Sequence, residues 1–186
     1  MENSKIAKRL YRDQFKNEII GLVSINKKSF YDNLRDNYFP FIDLIVNETE
    51  TENEDEVIFD FYELGSVKFN FIFNITKNSN VVNKICLSDI KHISTNVSES
   101  VTNVDTIKHK IIENMFRKRI LYTVCMKSMI REVMKTKIFP YADFTMTEHS
   151  DEMTKVDFKF GEFSLISFDF RFEPRNNTNY RLAKIS

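Results

Sequence analysis

The sequence predicts an α+β fold made by tandem duplication. Each copy is a helix followed by a three- or four-stranded antiparallel sheet, and the copies are expected to be pseudo-twofold related. Three observations carry this. Phe39-Pro40-Phe41-Ile42-Asp43-Leu44 returns 100 positions later as Phe139-Pro140-Tyr141-Ala142-Asp143-Phe144. Phe59, Phe61, Phe69, Phe71 and Phe73 are matched by Phe158, Phe160, Phe168, Phe170 and Phe172 at an offset of 99, so the intervening loop of the second copy lacks one residue. Within both sets the aromatic residues occupy every second position, with polar residues between them except at Ile72, the period of a strand with one dry and one wet face. Self-similarity over such a distance marks a repeated structural unit. The expected division is a first unit over 1–93, a linker over 94–103 and a second unit over 104–186, with a shared helical core making one compact domain.

Taken in order, Ser4 is an N-cap for a helix reaching about Arg35, because Ile6, Leu10, Phe15, Ile19, Leu22 and Val23 recur at helical spacings among lysines and arginines. Gly21 and Ser24-Ile25-Asn26 predict a break in its middle. Pro40 ends the helical stretch and pushes Phe39 toward extended geometry. Strands follow over 41–47, 57–64 and 67–75, with a weaker fourth over 81–93. Between them lie an acidic loop over 48–56 and turns at Gly65-Ser66 and at Lys77-Asn78-Ser79-Asn80. Residues 94–103 are rich in Ser, Thr and Asn and poor in apolar residues, hence the linker. The second helix is read as running from about Val104 to Lys137, about 50 Å if unbroken. Its second half is apolar nearly all round, from Ile120 to Met134, which predicts burial on more than one side or against a second chain. Strands over 141–148, 156–160, 163–172 and 180–185 complete the second copy, with turns at Gly161-Glu162 and at 174–177. The inward phenylalanines need a cover, and the preceding helix is the nearest apolar surface.

Composition narrows the function classes. The chain has 186 residues, enough to bury a core, and its formal net charge is zero, so no global field draws it to nucleic acid or membrane. It holds 18 Phe and 18 Asn but 3 Gly, 3 Ala and no Trp, a usage that suggests an AT-rich genome and is compatible with a bacteriophage or mobile element, a low-GC bacterium or several eukaryotic parasites. No apolar run reaches 18 residues, and Met1-Glu2-Asn3-Ser4 is polar, so neither a membrane span nor a signal peptide is expected; the expected location is cytoplasmic, the host cytoplasm for a viral protein. Cys86 and Cys125 fit reduced thiols, although a bridge between them is open.

The zero net charge hides a segregation. Residues 4–35 carry eight Lys/Arg against three Asp/Glu, residues 104–137 carry nine against three, and residues 36–80 carry two against ten. A solvated basic face on each helix explains this most simply. The sharper reading is contact with nucleic acid or a partner through Lys108, Lys110, Arg117, Lys118 and Arg119. The acidic stretch Glu48, Glu50, Glu52, Glu54, Asp55 and Glu56 is read as a mobile hairpin loop, or else as carboxylates offered to a basic groove on a partner. It lacks the Gly and the Asp spacing of a calcium loop.

Catalytic signatures are missing from the sequence. Three dispersed glycines cannot make a dinucleotide or phosphate loop, and His92, His109 and His149 have no second ligand at metal spacing. Asp43 and Asp143 recur in the signature stretch. They could pair in a pseudo-symmetric cleft for acid–base work, but more often such an Asp caps a turn. The expectation is a non-enzymatic macromolecule-binding accessory protein without a cofactor. Its most concrete form is a phage or mobile-element protein that binds and inhibits a host protein such as a defence nuclease. The alternative is a nucleic-acid-binding protein using the basic faces of helices 4–35 and 104–137. Homodimerisation through the apolar half of the second helix is a further expectation.

Overall fold

A computed structural model describes residues 3–78, 81–118 and 120–186. The chain forms two compact units, Met1–Val101 and Thr102–Ser186.

In the first unit, helix α1 (Lys5–Leu10) starts at Ser4, whose Oγ accepts from the Ala7 N–H at 3.2 Å, and continues as a wider π-type helix over Tyr11–Ile19. After the break come β1 (Val23–Ser24) and α2 (Lys27–Asn33), capped by Asn26 and continued by π-type turns over Leu34–Tyr38. Strands β2 (Asp43–Glu48), β3 (Glu54–Asp60), β4 (Gly65–Asn78) and β5 (Val81–Val97) follow. The second unit repeats the plan: α3 (Asp105–Arg117), β6 (Val124–Cys125), α4 (Lys127–Val133) with π-type turns over Met134–Ile138, then β7 (Asp143–Glu148), β8 (Met153–Lys159), β9 (Ile166–Pro174) and β10 (Tyr180–Ile185).

Both sheets are antiparallel and five-stranded, in the orders β1-β5-β4-β3-β2 and β6-β10-β9-β8-β7. The registers repeat as well as the orders. Val57 pairs with Phe69 and Val156 with Phe168, both at the offset of 99. Val23 sits opposite Cys86 and Val124 opposite Arg181, while Ser24 sits opposite Ile85 and Cys125 opposite Tyr180. The fold is therefore a duplicated α+β unit. The fifth strand of each sheet is the two-residue edge segment between the helices, too short to show a period in the sequence.

All ten phenylalanines of the two columns are buried, as are Phe39 and Phe139. Their rings touch in the same chain in each unit. Phe39 lies 5.0 Å from Phe59 and Phe59 5.3 Å from Phe69, while Phe139 lies 5.2 Å from Phe158 and Phe158 5.4 Å from Phe168, all edge-to-face. Phe15 from the helical layer adds edge contacts to Phe39 and Phe69. Each such ring stabilises by about 1.5–3 kcal/mol through burial, with about 0.5–1.5 kcal/mol more from the edge geometry.

Five expectations are corrected. The helix over 104–137 is not continuous: it stops at Arg117, and Val124–Cys125 leaves the helical layer to pair with β10. The apolar residues beyond the break are not all buried either, since Phe116, Tyr122, Val124, Met126 and Met129 are exposed. The turn expected at Gly65-Ser66 lies earlier, at Phe61–Leu64, and Gly65 begins β4. The acidic stretch is a loop only over 49–53, because β2 reaches Glu48 and β3 begins at Glu54. Strand β5 runs to Val97, into the segment expected as linker, while Ser79 and Asn80 of the expected turn lie outside the described residues.

Two backbone positions explain the misplaced breaks. Gly21 has φ +95° and donates to the Leu87 carbonyl at 2.8 Å; its counterpart Tyr122 has φ +68° and donates to the Leu182 carbonyl at 2.7 Å. The reverse exchange occurs at the β3–β4 and β8–β9 corners, where Tyr62 has φ +54° and Gly161 has φ +57°. A left-handed residue is thus required at each site in both copies, and each copy uses Gly at one site and Tyr at the other. The Tyr positions carry a strain of about 1–2 kcal/mol, held by the surrounding pairing. A Cβ at Gly21 would meet nothing within 4 Å, so only backbone strain opposes it. Gly21→Ala should lower stability by about 1 kcal/mol without disturbing packing. Urea unfolding checks this, and an unchanged midpoint would mean that the turn relaxes to negative φ.

Candidate functional site

The basic candidates do not form one stripe. The Lys108 ammonium sits 5.1 Å from the Phe168 ring centre and covers the end of the aromatic core. Lys110 pairs with Glu113 one turn on, at 3.6 Å. Arg117 and Lys118 are exposed at the end of α3, where positive charge suits the helix C-terminus. Arg119 lies outside the described residues.

The acidic candidates are drawn mostly into the first sheet. Glu54 accepts from the Asn70 amide at 2.9 Å, Glu56 pairs with Lys68 at 2.8 Å, and Glu52 pairs with Lys77 at 2.6 Å across exposed surface. Glu48 ends β2, and Glu50 is exposed in the loop. Asp55 is the clear departure from a solvated loop, because it is fully buried. The strand alternation that turns Val57 and Phe59 inward puts Asp55 inward too. Its carboxylate accepts from Lys27 Nζ at 2.7 Å and from the Tyr31 hydroxyl at 2.8 Å. Burial, and then the Asp55 charge, push the Tyr31 phenol far above its ordinary range, so it remains a donor. Phase with Val57 and Phe59 was the signal in the sequence; the dense run of carboxylates obscured it.

The equivalent lysine of the second unit keeps the ring contact that Lys27 makes with Phe73 at 5.5 Å, but it has no buried carboxylate among the described residues. Lys127 Nζ lies 5.1 Å from the Phe172 ring centre and 4.7 Å from that of Tyr180, with Glu148 at 3.8 Å. Thr154 stands where the first unit has Asp55. It is buried, and its hydroxyl has no hydrogen-bond partner among the described residues. Asp43 and Asp143 are both exposed and open β2 and β7; Asp43 sits opposite Asp60, while Asp143 sits opposite Lys159. Among the described residues, no three His, Cys, Asp or Glu side chains are grouped to hold a metal ion, and no helix is long and apolar enough to cross a membrane.

The repeat itself points to the surface that sets the second unit apart. Helices α2 and α4, with the π-type turns after them, align at an offset of 100 without a gap. Where the first unit has Ser29, Phe30 and Asn33, the second has Met129, Ile130 and Val133, and register places Cys125 where the first unit has Ser24. Ile130 is smaller than Phe30, and its neighbours are apolar where the first unit is polar. The result is an open groove of about 200 Å³ lined by Ile120, Cys125, Met129, Ile130 and Val133, with Lys118 among its walls. Burial raises the Cys125 thiol above its ordinary range, which marks it as an apolar wall rather than a reactive thiolate. Phe116, 60% exposed, and Met129, 51% exposed, extend the apolar surface. Nothing in the apolar run of the sequence marks the groove, because the same residue types would line a buried helix.

Compared with protein-family models, with curated proteins and with solved structures, the chain has no match.

Two outcomes test the electrostatics. Asp55→Ala strands Lys27 beside the core and should cost about 3 kcal/mol, the low end for a buried pair because Lys27 keeps some contact with water. Lys27→Met with Asp55→Thr, the residue of the other copy, should recover most of it in thermal or urea unfolding. A double variant as unstable as the single one would show that the stranded ammonium is not the cause. In the second unit, Asp157 is held below the ordinary carboxylate range by the Ser167 hydroxyl and then by Lys155. That contribution is present above the unfolded-state value and is lost as pH falls through the depressed folded value. Ser167→Ala should therefore weaken the protein at pH 7 and converge with the unmodified chain as pH falls through the depressed folded value of Asp157. Asp60, raised by burial, works in the opposite sense and loses stability as pH rises through its value.

Proposed function

We propose that the protein is a non-enzymatic macromolecule-binding accessory protein whose contact surface is the apolar, basic face of the second unit. One observation carries this reading. The matching helical segment of the first unit has Ser29 and Asn33 where the second has Met129 and Val133, so the fold does not need apolar residues there. A contiguous exposed apolar patch costs solubility, and proteins that keep one use it for contact. Methionines on such a surface suit partner binding because their side chains adapt in shape. The finer form of the proposal is a phage or mobile-element protein that binds and inhibits a host protein such as a defence nuclease, supported by the AT-rich residue usage. The competing reading, nucleic-acid binding, is favoured by the exposed cations Arg117, Lys118, Arg131, Lys135 and Lys137 and weakened by the structural use of Lys108 and Lys110.

The test is a reversal toward the first unit, Phe116→Lys with Met129→Ser and Val133→Asn. Immobilised unmodified and reversed chains are exposed to lysate of the source organism, with and without nuclease. A nuclease-resistant partner retained by the unmodified chain, and bound at least about tenfold more weakly by the reversed one, is expected. Equal retention would remove this face as the contact. Loss of all retained material on nuclease treatment, with steep salt dependence of the binding, would establish the nucleic-acid reading instead.

A further inference from the structure

We infer that the groove between α3, β6 and α4 takes an acidic amphipathic helix of the partner protein, whose apolar face enters the groove and whose carboxylates meet the surrounding cations. This deepens the reading that the second unit's face is the contact surface and rests on it. Charge is the first argument. Lys118 is among the groove walls, Arg117 is exposed at the end of α3 beside it, Arg131 is exposed on α4, and Lys135 and Lys137 are exposed on the π-type turns that follow α4. None of the five has an ion-pair partner among the described residues. The first unit has Asn17, Glu18, Tyr31, Arg35 and Asn37 at the positions 100 residues earlier, one acid and one base. These five positions are thus neutral in one copy and positive in the other, although the helical segments as wholes are basic in both, with eight Lys/Arg against three Asp/Glu in the first and nine against three in the second. A partner segment of opposite sign is complementary to the cations at these positions of the second copy.

Shape is the second argument. The groove, about 200 Å³ and open on one side, admits a pair of medium-sized apolar side chains, the i and i+4 anchors of one helical face. Addition of a partner strand is the other way to bind at this end of the sheet. The exposed edge there is β6, of two residues, which offers too few backbone groups to hold a strand. Phe116 and Met129 flank the groove with apolar surface that a helix lying across it would cover.

The test uses the full chain and a fluorescently labelled peptide of about 16 residues, four turns of helix, with Leu at i, i+3, i+4 and i+7 and Glu on the other faces. Anisotropy titration should give a dissociation constant of about 10–100 µM. Binding should weaken at high salt and fall at least about tenfold in the Phe116→Lys/Met129→Ser/Val133→Asn chain. Lys118→Glu with Arg131→Glu should abolish it while lowering the urea midpoint only slightly, since both side chains are exposed and the stability lost is that of the positive charge at the α3 C-terminus. No binding at about 1 mM peptide, or equal binding of a scrambled peptide or of one with Lys in place of Glu, overturns the inference. So does preferential binding of a single-stranded oligonucleotide, or a sedimentation mass of two chains that the reversed variant abolishes. The two proposals fail separately. If the peptide does not bind but the reversed chain still loses its captured partner, the acidic helix is wrong and the contact surface stands. If reversal changes neither, both fall.

Discussion

The constraint on which the rest depends is the need to shield two columns of phenylalanine from water. In each unit a sheet turns five rings to one side, and a helical layer from the preceding segment covers them. Edge-to-face contacts along Phe39–Phe59–Phe69, and along Phe139–Phe158–Phe168, link the residue after the helical layer to the two central strands. Because alternate residues face the same side, a register slip of one residue would turn every ring to solvent. That penalty explains why the pairing is the same in both copies.

Duplication gives each position a built-in comparison. Features shared by the copies belong to the fold: the two-residue edge strand, the left-handed residue before it, and the lysine over the ring of Phe73 or Phe172. Features that differ are free to serve another purpose. The buried Lys27–Asp55–Tyr31 cluster exists in the first unit alone, and the second answers it with an aromatic box around Lys127. Likewise, the polar face over Ser29 and Asn33 becomes an apolar, cationic groove in the second unit. A surface changed in one copy, on a backbone kept in both, points to a demand from outside the fold.

Much of the architecture was legible in the sequence because periodicity and repetition are local signals. Alternation fixed the faces of β3, β4, β8 and β9, and the Phe-Pro signature set the offset between copies. The helical break in the first unit was legible at Gly21, while its counterpart in the second was not, because Tyr122 adopts the same left-handed conformation without the residue type that announces it. Asp55 looks like a loop residue in the sequence, amid the run of carboxylates, although it shares the phase of Val57. A carboxylate enters a core when a lysine and a tyrosine, 28 and 24 residues earlier, arrive to meet it. The groove was hidden for a related reason, since an apolar run in a supposed helix says nothing about which side remains uncovered.

The sequence by itself determined that there are two copies, which strands they contain and which rings point inward, because those follow from the spacing of neighbouring residues along the chain. The tertiary structure alone decided where the second helix breaks, which charges are consumed internally and which apolar side chains stay in contact with water. Those outcomes depend on partners far away in sequence: Leu182 accepts from Tyr122, Asp55 from Lys27, and Ile130, standing in for a phenylalanine, leaves space that the neighbouring elements do not fill.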